Sequence, residues 1–326
     1  MILAAGYGTR LWPLTIDRAK PAIPFMNRPL VGYVAEYLAR HGFREVVVNL
    51  HHRPESVRAA LGDGGRFGVS LSYVEEPVIL GTSGALDNAR SLLEGETFVV
   101  VNGKIATDID LSAALRTHRE TGALATLVLR PNPARERYSL IETSDGLVTG
   151  FGGFPAPVGA PAPGGGAAPL MFTGIQILEP RVLDLIPRGV FSHSVTDVYL
   201  PAIARGERIA AHVGEGYWYE LSTVRRYLET SVALMRREGR SYEAGEGSVV
   251  EEGAEVSDSV LWEGVSVGAG ARVRGAVLGA GVRVEAGETF EGVAVVRAEL
   301  AEGAERPDKG LSGEFRGPNF VAPLPG

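Results

Sequence analysis

The sequence contains no cysteine among its 326 residues. This absence excludes disulfide bonds, thiolate metal sites and cysteine nucleophiles. Lysine is also scarce, because Lys20, Lys104 and Lys309 are the only lysines among 32 basic residues. No apolar run approaches the length of a membrane span, and no charged start followed by an apolar segment marks a signal peptide. The sequence therefore predicts a cytoplasmic protein with no membrane partner.

The net charge is −7 at pH 7, so acidic residues outnumber basic ones. A surface that binds nucleic acid or anionic membrane needs the opposite balance, and any anion site must therefore be local. With 45% hydrophobic and 22% charged residues, the composition is that of an ordinary globular protein. The length allows about two domains.

Apolar, strand-like runs alternate with helical patterns over residues 1–130. The predicted strands are Ile2–Ala5, Glu45–Leu50, Val69–Val74, Phe98–Asn102 and Ala123–Leu129, and the predicted helices are Val31–Arg40, Glu55–Leu61, Ala85–Leu93 and Leu111–Thr121. This alternation predicts an α/β fold with a mostly parallel sheet that is covered on both faces. Ligands of such sheets bind beyond the carboxyl ends of the strands, where Gly6–Arg10 and Gly103–Asp110 fall. Farther along, Pro155–Pro169 predicts a mobile loop, Met171–Leu178 a strand and Thr223–Arg237 a closing helix.

From about residue 250 the sequence repeats. Three apolar columns have a period of 17 residues: Val250, Val267 and Val284; Val256, Val273 and Phe290; Leu261, Leu278 and Val295. This spacing, with small residues between the apolar ones, is typical of a parallel β-helix of hexapeptide repeats. The alternative, Gly/Ala-rich low complexity, does not easily give three columns in phase. We expect domains over 1–240 and 246–300, followed by a C-terminal tail over 301–326.

Some β-helices of this kind are acyltransferases that use a histidine base, but no histidine follows His212. We therefore expect this β-helix to be a cap or a surface through which copies of the chain form a homo-oligomer.

The most informative segment is Leu3–Thr15, Leu-Ala-Ala-Gly-Tyr-Gly-Thr-Arg-Leu-Trp-Pro-Leu-Thr, which runs from a predicted strand into a glycine-rich loop. Gly6 and Gly8 carry no Cβ, so their backbone N–H groups can approach an anion closely. Arg10, and Lys20 in a following Lys-Pro pair, add two cations beside the loop. This pattern suits a polyphosphate. It lacks the Lys-Ser/Thr ending of a P-loop and the third glycine of a dinucleotide fingerprint.

The full string resembles the signature of the sugar-1-phosphate nucleotidyltransferases, or NDP-sugar pyrophosphorylases. The resemblance implies a Rossmann-like domain followed by a left-handed β-helix. It also implies transfer of a nucleotidyl group from a nucleoside triphosphate to a sugar 1-phosphate, with positioning and charge neutralisation as the main requirements. Arg10 and Lys20 are the implied catalytic residues, and the plain alternative for each is a solvated surface cation. The implied nucleotide-binding residues are Leu3, Ala4, Ala5, Gly6, Gly8, Thr9, Arg10, Lys20, Glu76, Gly81, Thr82, Asn102, Gly103 and Lys104, and the implied sugar-binding residues are Thr173 and Gly174.

A second segment, Glu75–Leu86, resembles the part of the family that reads the nucleobase. Backbone groups near Gly81 would meet the edge of the base there. The Leu-Gly-Thr form of this segment is most similar to the mannose-1-phosphate guanylyltransferase branch, which favours GTP as the donor and GDP-mannose as the product. Alternatively, Thr82 and Ser83 form a plain helix cap.

A third segment, Val99–Leu111, is similar to a signature in which the residue after Asn-Gly is an aspartate that binds Mg²⁺. Here that residue is Lys104, while Glu220 occupies the position of the partner ligand and keeps a carboxylate. A unit charge and Mg²⁺ about 4 Å apart, at an effective dielectric near 20, interact by roughly 8 kcal/mol, favourably for aspartate and unfavourably for lysine. Mg²⁺ is the cofactor that the resemblance implies, and its ordinary two-carboxylate site is expected to fail here.

Two departures affect the acceptor side. Relatives usually carry Glu-Lys-Pro after the strand that ends near Phe151, whereas this chain has Gly152-Gly153-Phe154-Pro155 with no cation. Ser139 stands where the family has a glycine. His193 could contact the sugar, with a local polar cap as the alternative.

Three interpretations follow. The first is a working nucleotidyltransferase in which the Lys104 ammonium partly replaces Mg²⁺ at the α-phosphate, with Asp108 as a further carboxylate. The second is an impaired pseudoenzyme that binds nucleotides and regulates an active paralogue. The third is an engineered or sequence-specific lysine in an otherwise ordinary enzyme. Because lysine is so rare in this chain, drift to a cation would more often give arginine, which favours a selected or deliberate Lys104.

Overall fold

The structure is a computed structural model that describes residues 1–153 and 168–325. Residues 155–167 of the predicted loop therefore lie outside the described residues. The chain divides into two compact units: a sheet unit of Met1–Ala5, Val34–His51 and Asp63–Trp218, and a repeat unit of Gly6–Tyr33, His52–Gly62 and the chain from Tyr219 onward. The domain boundaries expected near residues 240 and 300 stay a prediction.

Seven α-helices are described, and their ends follow from local chemistry. They are α1 (Leu30–Arg40), α2 (Pro54–Leu61), α3 (Gly81–Asn88), α4 (Leu111–Thr121), α5 (Leu200–Ala204), α6 (Val224–Arg237) and α7 (Ala298–Ala301). At the start of α4, the Asp110 carboxylate accepts from the backbone N–H groups of Ser112 (2.9 Å) and Ala113 (3.2 Å). The helix ends at Thr121, and the following Gly122 has a φ of 54°. Among the described residues, no helix is long and apolar enough to cross a membrane.

The strands belong to one large sheet, two two-stranded pairs and the faces of a β-helix. They are β1 (Ile2–Leu3), β2 (Pro24–Phe25), β3 (Arg28–Pro29), β4 (Glu45–Leu50), β5 (Ser70–Glu75), β6 (Phe98–Asn102), β7 (Ile105–Thr107), β8 (Ala125–Pro131), β9 (Ile141–Ser144), β10 (Leu147–Phe151), β11 (Leu170–Leu178), β12 (Ile209–Val213), β13 (Trp218–Glu220), β14 (Tyr242–Ala244), β15 (Val249–Val250), β16 (Glu255–Ser257), β17 (Ser259–Leu261), β18 (Ser266–Val267), β19 (Arg272–Arg274), β20 (Val277–Leu278), β21 (Arg283–Val284), β22 (Thr289–Glu291), β23 (Val293–Arg297), β24 (Glu314–Arg316) and β25 (Asn319–Pro323).

The sheet unit is built on a nine-stranded sheet in the order β5-β4-β1-β6-β11-β8-β12-β10-β9. The strands β5, β4, β1 and β6 pair in parallel, and so do β8 and β12. Within this nine-stranded sheet, β11 and β10 run in the opposite direction to the other strands. The buried apolar runs of β4, β6 and β8 are those of strands covered on both faces. The mostly parallel, Rossmann-like α/β sheet that the sequence predicts is confirmed.

The repeat unit contains the predicted β-helix, and its register follows the 17-residue columns. Val250 pairs with Val267 and Val267 with Val284, and the other two columns pair in the same way. The inward side chains from Leu261 to Val295 form one buried apolar cluster. The left-handed β-helix fold class is therefore confirmed.

The segment expected to be a C-terminal tail completes one face of this β-helix. Strand β25 pairs antiparallel with β23, and β24 pairs with β25. Phe320 of β25 is buried and lies edge-on to Trp12, with the ring centroids 5.3 Å apart. Gly310 packs against the same indole, because a Cβ there would lie 3.2 Å from Trp12 side-chain atoms. Within the repeat unit, the C-terminal segment thus covers part of the signature.

Candidate active site

The carboxyl ends of β1, β4 and β6 meet at one edge of the nine-stranded sheet. Leu3, the last residue of β1, is in register with Asn49 of β4 and Asn102 of β6. The Gly103 N–H donates to the Leu3 carbonyl oxygen at 2.9 Å, and a Cβ on Gly103 would approach that oxygen equally closely. The predicted nucleotide-binding residues at the end of β1 and the end of β6 are therefore neighbours in space.

Gly174 brings the predicted sugar strand to the same place. The register of β11 shifts between Phe172 and Ile175, and Gly174 within this irregularity has a φ of 82°. A Cβ on Gly174 would lie only 2.1 Å from Asn102 Nδ2, so only glycine fits here. A predicted sugar-binding residue thus contacts a predicted nucleotide-binding residue.

Thr173, the other predicted sugar-binding residue, is engaged by the fold. Its buried hydroxyl donates to the Val128 carbonyl oxygen at 2.6 Å. Its own carbonyl oxygen accepts from Trp218 Nε1 at 2.9 Å, and the Trp218 ring lies edge-on to Tyr138. The sugar-binding role of Thr173 stays a prediction.

The predicted base-reading turn is held against a neighbouring segment. Gly81 has a φ of 76°, and a Cβ there would lie 2.4 Å from the Ser192 carbonyl oxygen. The Ser83 hydroxyl donates to Ser192 Oγ at 2.8 Å, and Thr82 Oγ1 accepts from the Ser194 N–H at 2.8 Å. These two hydroxyls bind another segment instead of capping α3, which fixes the turn in place.

Glu76, just before this turn, is buried with 3% exposure. Its Oε1 accepts from Asn49 Nδ2 at 2.6 Å, and its Oε2 accepts from the Leu80 N–H at 2.8 Å. Asn49 is equally buried, and its Oδ1 accepts from the Ala4 N–H at 2.7 Å. None of the sequence motifs includes Asn49. Its only signal is a polar residue within the apolar run of β4.

The glycine loop of the signature belongs to the repeat unit. Gly8 has a φ of 65°, and a Cβ there would lie 2.8 Å from Lys20 Cβ, so the loop and the Lys-Pro pair touch. The Thr15 hydroxyl donates to the Gly8 carbonyl oxygen at 3.4 Å. Lys20 is only 8% exposed, whereas Arg10 is exposed in the 3₁₀ turn Thr9–Leu11. Two predicted phosphate-binding elements are thus brought together in this unit.

One of the residues predicted around Mg²⁺, Lys104, carries no carboxylate. Lys104 is half-buried between β6 and β7, and an ammonium has no electron pair to give to a cation. Asp108 is exposed, and its Oδ1 accepts from the Tyr217 N–H at 2.7 Å. Glu220 is buried at the end of β13 in the repeat unit. No group of three or more His, Asp or Glu residues able to hold a metal occurs in residues 1–153 and 168–325. With Lys104 at one of the two expected ligand positions, the donor set does not fit a two-carboxylate Mg²⁺ site.

The acceptor-side stretch is described only as far as Gly153, so Phe154 and Pro155 lie outside the described residues. The described part continues a β-ladder, because the Gly152 N–H donates to the Leu140 carbonyl oxygen at 2.9 Å. His193 makes local contacts: its N–H donates to Asp197 Oδ2 at 2.6 Å, and its ring lies edge-on to Phe191. These contacts agree with a local polar role for His193.

Comparison with known proteins matches both parts of the chain to families. The Nucleotidyl transferase family profile matches residues 1–237, and the profile of the GlmU-like, C-terminal hexapeptide matches residues 244–295. The solved structure of HddC from Yersinia pseudotuberculosis is 21% identical with a TM-score of 0.59, covering 72% of this chain and 97% of that one. At this identity the similarity concerns the fold alone.

Three curated relatives are similar in sequence. A UTP–glucose-1-phosphate uridylyltransferase of Synechocystis is 32% identical over 73% of this chain, and the alignment spans 63% of the relative, so the chain covers less than two thirds of it. An N-acetylmuramate alpha-1-phosphate uridylyltransferase of Neisseria meningitidis is 35% identical over 70% of this chain and 95% of the relative. A mannose-1-phosphate guanylyltransferase of Mycobacterium tuberculosis is 30% identical over 80% of this chain and 72% of the relative.

Proposed function

The chain belongs to the nucleotidyl transferase family, and from this premise we propose that it makes an NDP-sugar from a nucleoside triphosphate and a sugar 1-phosphate. An oxygen of the sugar 1-phosphate forms a bond to the α-phosphorus, and the bond between that phosphorus and the leaving pyrophosphate breaks. Such a transfer requires both substrates to be held side by side. The observation that carries the proposal is the contact of Gly174 with Asn102, which joins the expected sugar strand to the expected nucleotide strand.

The proposed work of the side chains is charge neutralisation. Arg10 and Lys20 bind the phosphates that leave as pyrophosphate, and Gly8 allows the backbone N–H groups of the loop to approach them. Removing a donor or a cation that stabilises developing charge typically slows such reactions by roughly 100- to 1000-fold. These two residues are therefore the ones whose loss should affect turnover most.

Lys104 takes the place of charge that Mg²⁺ supplies in the family. Because the residues present do not fit the metal, no step is assigned to it. The Lys104 ammonium is a compact cation suited to an α-phosphate oxygen. The regulatory pseudoenzyme alternative gains no support, since the similar curated proteins carry the names of transferases.

GTP is the proposed donor and GDP-mannose the proposed product, on the Leu80-Gly81-Thr82 form of the base-reading turn. Uridylyltransferases are among the similar proteins as well, so UTP is the competing donor. A location in the cytoplasm and a homo-oligomer formed through the β-helix are part of the same proposal.

Thermal-shift measurements with GTP, UTP, ATP, CTP and dTTP, each with and without Mg²⁺, test the donor. A ligand that binds only the folded state raises the melting temperature by mass action. We expect the largest shift with GTP, and pyrophosphate release when mannose 1-phosphate is added. A larger shift with UTP would overturn the guanine assignment. Absence of pyrophosphate release with glucose 1-phosphate, mannose 1-phosphate and N-acetylmuramate 1-phosphate, each with all five nucleotides, would overturn the proposed reaction.

A further inference from the structure

Three adjacent parallel strands of the sheet unit are tied together by two side chains near the carboxyl end of their ladder. The strands β5, β4 and β1 are neighbours, and Asn49 lies on the middle one. On one side Asn49 Oδ1 accepts from the Ala4 N–H at 2.7 Å. On the other side Asn49 Nδ2 donates to Glu76 Oε1 at 2.6 Å. The link ends at the Leu80 N–H, which donates to Glu76 Oε2 at 2.8 Å.

Both side chains in this link are almost fully buried, with exposures of 2% for Asn49 and 3% for Glu76. A buried carboxylate is costly unless donors surround it, so its retention at a sheet edge calls for a specific use. The His51 ring adds a further contact, since its Nδ1 lies 2.7 Å from the Glu76 carbonyl oxygen. Glu76 is therefore held at both its side chain and its backbone.

The two backbone groups at the ends of the link belong to the two elements assigned to the nucleotide. Ala4 precedes the glycine loop, and Leu80 opens the base-reading turn. We propose that Asn49 and Glu76 are positioning residues that fix these two backbone groups for nucleotide binding. This role rests on the proposed function. In this role Glu76 orients the Leu80 N–H and does not itself touch the nucleotide.

The backbone groups at the two ends of the link determine which side-chain atoms donate and which accept. The N–H groups of Ala4 and Leu80 are both donors, so each adjoining side-chain atom must accept. Between these acceptors, one side chain must donate and the other must accept. An amide at 49 and a carboxylate at 76 satisfy this requirement, and so does a carboxylate at 49 with an amide at 76. Either single exchange leaves two donors or two acceptors facing each other.

Exchanging the amide and the carboxylate between positions 49 and 76 tests the link. Glu76→Gln and Asn49→Asp each break the link, whereas the double variant Asn49→Asp/Glu76→Gln restores every hydrogen bond with the same net charge. We expect each single variant to weaken binding of GTP or UTP, whichever the wild type prefers, by about tenfold, the effect of one buried polar mismatch. The double variant should return to within about threefold of the wild type. The KM for the sugar 1-phosphate should change less than that for the nucleotide.

Thr126→Val is the matched control, because it breaks another buried side-chain hydrogen bond of the sheet unit, Thr126 Oγ1 to His118 Nδ1 at 2.8 Å. It should lower the melting temperature and leave nucleotide affinity unchanged. Amide hydrogen exchange at Leu80 gives a readout that needs no ligand: it should accelerate in the Glu76→Gln variant and recover in the double variant.

The outcomes separate the two proposals. Wild-type nucleotide affinity in both single variants, or no recovery in the double variant, overturns the positioning role. A wild type that binds none of the five nucleoside triphosphates overturns the proposed function and this role with it. Loss in each single variant with recovery in the double variant supports the positioning role.

Discussion

The β-helix and the nine-stranded sheet join their strands over very different distances along the chain. In the β-helix, Val250 pairs with Val267, 17 residues later. In the sheet, Ile2 pairs with Val48 on one side and with Val101 on the other. Closing the longer loops costs more chain entropy, and nothing local in the sequence identifies the partner. The repeat spacing therefore specifies which strands pair in the β-helix, whereas strand pairing in the sheet depends on the whole chain.

The two regions also differ in what their buried positions contain. The interior of the β-helix is an apolar cluster in which each side chain contributes packing. The carboxyl edge of the sheet buries Asn49, Glu76 and Thr173, which serve hydrogen bonds. Substitutions in the interior of the β-helix should therefore lower the free energy of unfolding. Substitutions near the carboxyl edge of the sheet or in the signature loop should instead lower ligand binding or turnover.

Phe290→Ala should have the largest effect on stability. Phe290 is 1% exposed and pairs with Val273 in the second apolar column. Truncating a buried phenylalanine typically lowers the free energy of unfolding by about 3–5 kcal/mol. Urea denaturation measures this change, and Phe315→Ala, at a 55% exposed residue, is the control with an expected loss below about 1 kcal/mol. Equal losses for the two variants would show that the columns do not support the fold.

Arg10→Ala should lower turnover strongly and leave stability almost unchanged. Arg10 is exposed, so its loss should change the free energy of unfolding by no more than about 0.5 kcal/mol. Turnover should fall by roughly 100- to 1000-fold, because a cation that meets developing phosphate charge is removed. Arg272→Ala on the outside of the β-helix is the control and should leave both quantities unchanged. Unaltered nucleotide binding and turnover after Arg10→Ala would remove this residue from the site.

Lys104→Asp tests whether an ammonium replaces the metal. In the wild type, nucleotide binding without Mg²⁺ should be good and turnover slow, because one tethered cation cannot reproduce the charge and orientation of the ion. Introducing a carboxylate should create Mg²⁺ dependence and raise the rate of NDP-sugar formation by at least about tenfold. Lys104→Ala separates loss of the ammonium from gain of a ligand. Rapid, strictly Mg²⁺-dependent turnover by the wild type would contradict metal replacement, and an inactive Lys104→Asp enzyme would point to the missing lysine near Gly152.

The sequence predicts the β-helix down to its register because the inward positions repeat in phase. In the sheet it predicts Glu45–Leu50 and Phe98–Asn102 with the bounds observed, since these are uninterrupted apolar runs. It does not predict that β11 runs antiparallel between β6 and β8, because hydrophobic periodicity carries no direction. The first strand ends at Leu3 rather than Ala5, because the Ala4 N–H bonds to the Asn49 side chain.

The candidate site also contains residues that the sequence predicts and residues that it does not. Motif resemblance leads to Gly174 and Asn102, whose contact depends on the absence of a Cβ. It does not reveal that Glu76 turns inward to Asn49, because a carboxylate beside a second one in the sequence is expected at the surface. Pairing between side chains on different strands is not encoded in either local stretch. Buried polar links of this kind are therefore the part of the site that only the folded structure supplies.

The smallest effect on stability is expected at a corner of the β-helix, where an aspartate occupies a position that is glycine in the next two coils. Asp258, Gly275 and Gly292 occupy one corner column, with φ values of 48°, 57° and 62°. Gly275→Ala should lower the free energy of unfolding by about 1–2 kcal/mol. A Cβ there would make only an ordinary contact, 4.0 Å from the Gly292 nitrogen, so the left-handed backbone is the main penalty. Asp258→Gly should change it by less than about 1 kcal/mol, because relief of the same backbone strain offsets loss of an exposed ion pair with Arg236. Urea denaturation could instead show a larger loss of unfolding free energy for Asp258→Gly than for Gly275→Ala. In that case the contact with Arg236, rather than the repeated backbone conformation, stabilises this corner. The first coil would then depend on contacts outside the repeat, as the strands of the sheet do.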